Sequence, residues 1–285
     1  MIVVRVPGSS ANLGPGFDAL GMALALPAEI AVVPDGADVA DDDIGAAVES
    51  THPAAVAFRT GGGVGAVHVR SPIPPGRGLG FSGAMRVGGL LAADAQLRMN
   101  RGEDDVDRVA VLAAAIELEG HADNVAASLL GGVVATAGGR AVPLPLGFEP
   151  AVVLWVPTAG TSTQRSRHAL PATVTFGDAA FNVGRTALLV AALVAGDVPS
   201  LRTATEDRLH QDRRFSAAFP SREALAAGLD AGAWAGWLSG SGPSVALLCA
   251  PSAADHLAAE VNAAVPEGRT IVTAIDGAGA TVELR

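Results

Sequence analysis

The chain has 285 residues, 49% hydrophobic and 17% charged, a composition that supports a sizeable core and excludes gross disorder. Its net charge of −10 excludes a nucleic-acid-binding surface, which needs a basic stripe. Lysine is absent, so all 19 basic residues are arginines; a Walker-type phosphate loop and a protein-kinase site, which each need a lysine, are excluded as well.

The N-terminus Met1–Val6 has no basic region, long apolar stretch or cleavage site, so it does not read as a signal peptide. Ile2 to Val6 is short and β-branched and predicts a strand. Residues 7 to 18 are too rich in Gly, Pro, Ser and Asn for regular structure and predict a loop carrying Asn12 and Asp18. Such a loop is either a plain turn with an Asx cap or a substrate loop on a rigid scaffold. Leu20 to Val33 predicts a second strand. Residues 35 to 64 are polar and glycine-rich, with one short helix expected near Pro53 to Phe58, and Ala66 to Arg70 alternates as a strand.

The next stretch organises the chain: Pro74-Pro75-Gly76-Arg77-Gly78-Leu79-Gly80-Phe81-Ser82-Gly83-Ala84-Met85. Glycines remove the Cβ atoms that keep a ligand from the main chain. A helix starting at Ser82 then offers free amides and a positive dipole end, which suits an anion such as phosphate. Gly78, Gly80 and Gly83 also fit the spacing of a dinucleotide fingerprint, but that pattern must follow a strand directly. Here prolines 72, 74 and 75 intervene. Val106 to Leu118 has helical spacing, with Val109, Leu112, Ala113 and Ile116 as its expected apolar face. Glu119-Gly120-His121-Ala122-Asp123-Asn124 packs polar groups into a helix–Gly–helix junction. Gly120 serves as a C-cap and Asp123 or Asn124 as the next N-cap. A carboxylate here suits Mg²⁺, and His121 and Asn124 suit a polar substrate.

Val133 to Ala135 predicts a strand, residues 143 to 147 a linker, and a domain boundary falls near 148, dividing the chain into 1–148 and 149–285. Val152 to Val156 opens the second half as a buried strand. Residues 161 to 167 follow with Arg165 and Arg167, candidate partners for a planar carboxylate. Phe176 to Ala195 predicts a long apolar helix carrying Asn182 and Arg185; no apolar run reaches 18 residues free of charges or Gly/Pro breaks, so a soluble, cytoplasmic protein is expected. Residues 207 to 214 form a polar patch on an expected helix, and Leu238 to Ser244 a second glycine-rich turn. Cys249, the sole cysteine, lies in the apolar run 245–249 and reads as a small core residue. A helix over 253–264 and strands near Ile271 and Val282 complete an α+β pattern, with a ferredoxin-like second half.

Five stretches, spread in order over the whole chain, resemble the GHMP kinase superfamily, and within it the branch that phosphorylates homoserine. They are Pro7 to Gly21, Gly78 to Ala84, Glu119 to Val125, Ser162-Thr163 with Arg167, and Ser239 to Ser244. The resemblance implies a two-domain α+β fold. Its N-terminal domain would be like ribosomal S5 domain 2, with a left-handed βαβ crossover, and its C-terminal domain ferredoxin-like. It implies ATP on Pro74, Gly76, Gly78, Leu79, Gly80, Phe81, Ser82, Gly83 and Ala84, and Mg²⁺ on Ser82 and Glu119. L-homoserine would be held by Asn12, Asp18, His121, Asn124, Thr163, Arg167 and Arg214, with Asn124 and Arg167 closest to the chemistry. It also implies a homodimer. Phe81 departs from the motif, which has serine there; Ala122 and Ser166 are minor departures. A kinase for another small alcohol, or an inactive ligand-binding homologue, are the alternatives these residues leave open.

Overall fold

The computed structural model describes residues 1–33, 44–103, 105–161 and 163–285; Ser162 and the side chains of residues 163–165 lie outside the described set, as do residues 35–43 at the start of the polar stretch 35–64. Strand β1 (Ile2–Ala11) is longer than its sequence suggests. It continues through Pro7 and Gly8 by a register shift against β2 (Leu20–Val33), so the expected loop begins only at Asn12. The shift places Pro7 opposite Pro27, where neither needs a ladder donor. Strands β3 (Ala46–Ala47) and β4 (Ala66–Arg70) extend the sheet from β2. The expected linker at 143–147 starts two residues late: Pro143 and Leu144 end a hairpin strand, and only from residue 145 is the chain irregular up to Ala151. Strand β5 (Val133–Ala137) turns through Gly138-Gly139, both at positive φ, into β6 (Arg140–Leu144), where Pro143 is tolerated on an edge.

The second sheet has the order β10 (Gly268–Ala274), β7 (Ala151–Pro157), β9 (Val245–Cys249), β8 (Ala235–Leu238), all antiparallel. In chain order that is 4-1-3-2, the ferredoxin-like arrangement. The last strand, β11 (Thr281–Leu284), leaves this layer and pairs with β1, covering an edge of the first sheet. Thus the first sheet draws on both ends of the chain.

β7 is buried on both faces. Val152, Leu154 and Val156 join the large cluster around Val4, Val6, Leu24 and Leu91, whereas Val153 and Trp155 meet Leu257 and Val261 of the helix Ala254–Ala264. One apolar core therefore runs continuously between the layers and holds their facing loops in register. The helix Arg108–Glu119 buries Val111 and Ala115, while Val109 is 81% exposed, a correction to the expected face. The segment is apolar nearly all round, so spacing alone does not select a side. The helix Phe176–Ala195 is long and apolar enough to cross a membrane by length and composition. Its Asn182 is nonetheless buried, donating to the Pro15 carbonyl (3.1 Å) and to Asp207 (2.7 Å).

Candidate active site

The glycine loop sits between the two layers and is polarised along its main chain. Each carbonyl from Gly76 to Gly80 accepts a hydrogen bond. The donors are Thr161 N (3.0 Å), Ser244 N (3.4 Å), the Ser239 hydroxyl (2.7 Å), Ser9 N (3.1 Å) and Ala84 N (2.9 Å), in that order. Among the described residues, none of the amides of residues 76 to 83 donates. The helix Phe81–Met99 begins at Gly80, with no side-chain cap. Its first amides are therefore available to a ligand. Gly80 has φ 69°, and a Cβ there would strike Ser9. Phe81 turns its ring edge-on to His52, 5.8 Å between centroids, so its amide serves the loop whatever its side chain.

A cavity of about 120 Å³ lies against this loop. It is lined by Pro74, Gly76, Gly78, Leu79, Gly80, Phe81 and Ser82 on one side, and by Asn12, Asp18, Glu119, His121, Asn124, Arg167 and Arg214 on the others. Gly83 and Ala84 do not line it: both are buried, with Gly83 set against Asn124 and Val125. Thr163 opens the helix Thr163–His168, but its side chain is outside the described set.

At one end of the cavity, the Ser82 hydroxyl donates to Glu119 Oε2 at 2.9 Å. Arg86, one helical turn after Ser82, forms an ion pair with the same oxygen. Its i+4 position on the loop helix is a signal that the sequence reading passed over. His121 Nδ1 lies 2.9 Å from Asp123 Oδ1, which also accepts from the Asn124 amide at 2.8 Å. Asp123 is the first helical residue; the N-cap position falls to Ala122, without a side-chain bond, so neither Asp123 nor Asn124 is the cap. Asn124 Oδ1 accepts from the Ser9 hydroxyl at 2.9 Å, leaving its NH₂ toward other partners.

At the other end, Arg167 makes a two-pronged bond to Asp18, at 2.7 and 2.8 Å. The bond to Asp18 holds the Arg167 pKa above its ordinary value, against partial burial. Arg214 is 6% exposed, and burial, followed by repulsion from Arg167, lowers its pKa to about 10. The Phe17 ring lies between them, 5.4 Å from the Arg167 guanidinium and 5.3 Å from that of Arg214. Asn12 and Asp18 adopt φ of 72° and 54°, a strained backbone locked where Asn12 Oδ1 accepts from the Asp18 amide (3.1 Å). The expected helix at 207–214 begins only at Gln211; before it, Asp207 gathers the amides of Leu209, His210 and Gln211. Gly240 and Ser241 also line the cavity, for reasons of tertiary packing.

Residues 45–132 match the GHMP kinases N terminal domain and residues 189–267 the GHMP kinases C terminal domain, so the fold is that of a GHMP-type phosphotransferase. A homoserine kinase of Leifsonia xyli is 40% identical over 99% of this chain and 91% of its own. One of Thermus thermophilus is 39% identical over 95% of this chain and 94% of its own. The solved homoserine kinase of Cytophaga hutchinsonii superposes with a TM-score of 0.83 at 25% identity, over 99% of this chain and 97% of that one. The chain belongs to the homoserine kinase family of the GHMP kinases.

Proposed function

We propose that the cleft transfers the γ-phosphoryl group of ATP to the side-chain hydroxyl of L-homoserine, giving ADP, O-phospho-L-homoserine and the hydroxyl proton, which is released to solvent. The observation that carries this reading is the polarity of the glycine loop. Its carbonyls are committed to the protein while its amides line a cavity that also holds paired charges. An anion with several oxygens fits the amide side, and a zwitterionic amino acid fits the charged side.

Ser82 and Glu119 present hard oxygens 2.9 Å apart beside the amides, a donor set that fits Mg²⁺ completed by phosphate oxygens and water. When bound, the ion neutralises charge on the β- and γ-phosphates. Arg86 holds Glu119 in place at the loop helix. Asp18 and Arg167 satisfy each other across the cleft. An incoming zwitterion replaces that single pair with two, its ammonium on Asp18 and its carboxylate on Arg167 and Arg214. Asn12, His121 and Asn124 then orient the hydroxyl for in-line attack, and Thr163 is assigned to the same group by its motif. Asp123 is occupied by His121 and by the Asn124 amide, which suits a holding role over that of a base. Rate comes from positioning and charge stabilisation.

The test is release of ADP from Mg·ATP with a panel of hydroxy compounds. L-homoserine is expected to be turned over well and 3-aminopropan-1-ol, which lacks the carboxylate, poorly. Turnover of another alcohol but not of homoserine overturns the assignment.

A further inference from the structure

We propose that His210 is a positioning residue for phosphoryl transfer. It fixes the Arg214 guanidinium so that one edge stays open for the acceptor's carboxylate. The proposal rests on the assignment of Arg214 to that carboxylate.

His210 is 1% exposed and bridges two parts of the site. Its Nε2 lies 2.8 Å from the Gly14 carbonyl, on the loop that carries Asp18. Its Nδ1 lies 3.2 Å from Nη1 of Arg214, one helical turn on. A guanidinium only donates, so Nδ1 must accept and the ring proton must sit on Nε2, donating to Gly14. The tautomer is thereby set by the two neighbours. Burial lowers the His210 pKa, in keeping with a neutral ring, although Asp207 lies 3.8 Å from Nε2.

Nη1 of Arg214 has a second bond, to the Gly240 carbonyl at 2.9 Å, so both its protons are used by the protein. Nε, by contrast, is buried without any partner. Buried donors in native proteins are paired almost without exception, so an orphan calls for an acceptor that arrives later. The Nε and Nη2 protons lie on one edge of the guanidinium and match the two oxygens of a carboxylate. His210 and Gly240 together hold Nη1 and so keep Nε from a protein partner, and the Phe17 ring, 5.1 Å from His210 and 5.3 Å from Arg214, restricts the tilt of the group.

The experiment is steady-state kinetics on His210→Phe, His210→Asn and His210→Gln, alone and combined with Arg214→Ala. Phe keeps the ring volume without either bond, Asn is too short to span both partners, and Gln offers an acceptor and a donor. Phe and Asn are expected to raise the KM for homoserine about tenfold or more while the KM for ATP stays within about twofold, as for a misplaced binding group. Neither should add to the effect of Arg214→Ala, and Gln should restore most of the affinity. Equal rises in both KM values, full additivity with Arg214→Ala, an unchanged homoserine KM, or loss of folding in all three variants overturns the proposal. If Arg214→Ala alone leaves the homoserine KM unchanged, it is the carboxylate assignment that fails.

Discussion

The two glycine-rich turns of this chain have similar composition and opposite uses. In the loop at residues 76–80 the carbonyls are taken up and the amides left free. In the turn at residues 239–244 the amides are spent instead: Gly240 N donates to Ala11 (3.1 Å), Gly242 N to Ser239 (2.8 Å) and Ser244 N to Arg77 (3.4 Å). The Ser239 hydroxyl, buried beside Ser10, donates to Gly78 and so anchors the first loop from behind. One turn is a receptor and the other its clamp. The difference lies in where the backbone hydrogen bonds go.

That contrast can be broken from either side. The largest effect is expected at the receptor end, where Glu119→Gln should lower kcat by about 10²–10³-fold, the scale of removing one preorganised charge-stabilising group. Its unfolding midpoint should move little, since Gln keeps the side-chain volume and can still accept from Ser82 and Arg86. Urea melts beside initial rates check this, and a stable variant with full activity would remove Glu119 from the reaction. At the clamp the expectation reverses. Ser239→Ala leaves the Gly78 carbonyl without its donor and should cost about 1–3 kcal/mol of stability, with kcat nearly retained. A large loss of kcat without loss of stability would make the second turn part of the catalytic surface.

The smallest effect concerns pH. Burial lowers the His210 pKa in the folded protein, so below the ordinary value of 6.5 the unfolded chain binds the extra proton more readily. Stability held above pH 6.5 is therefore lost as pH falls through that value toward the folded pKa, with His52 acting in the same direction. Denaturation between pH 7.5 and about 5 should show a slope that His210→Gln flattens in part. An identical slope in the variant would place its origin elsewhere.

Much of the architecture was legible because local rules and tertiary outcome agree. The loop helix, the strand over Ile2 to Val6, the buried strand at 152–156 and the glycine C-cap at Gly120 all follow from spacing, β-branching and turn chemistry. Several misreadings share one cause: a neighbour far away in the chain overrode a local signal. Pro7 and Gly8 look like a strand end until β2 supplies a shifted register, and Pro143 looks like a linker until β5 offers an edge. Arg86 was passed over because its partner Glu119 lies 33 residues away.

From its residues alone the chain declares an anion-binding helix start, the acids and arginines that could serve it, and their likeness to a known kinase family. These properties reside in short segments, where backbone freedom and side-chain chemistry act over a few bonds. Only the folded molecule decides that the amides at 76–83 stay unspent, that Ser239 braces the Gly78 carbonyl, and that His210 and Gly240 take Nη1 of Arg214 while its Nε has no partner. Hydrogen-bond satisfaction is a property of all the groups that meet in space, and the Ser239–Gly78 and His210–Gly14 bonds join segments more than a hundred residues apart.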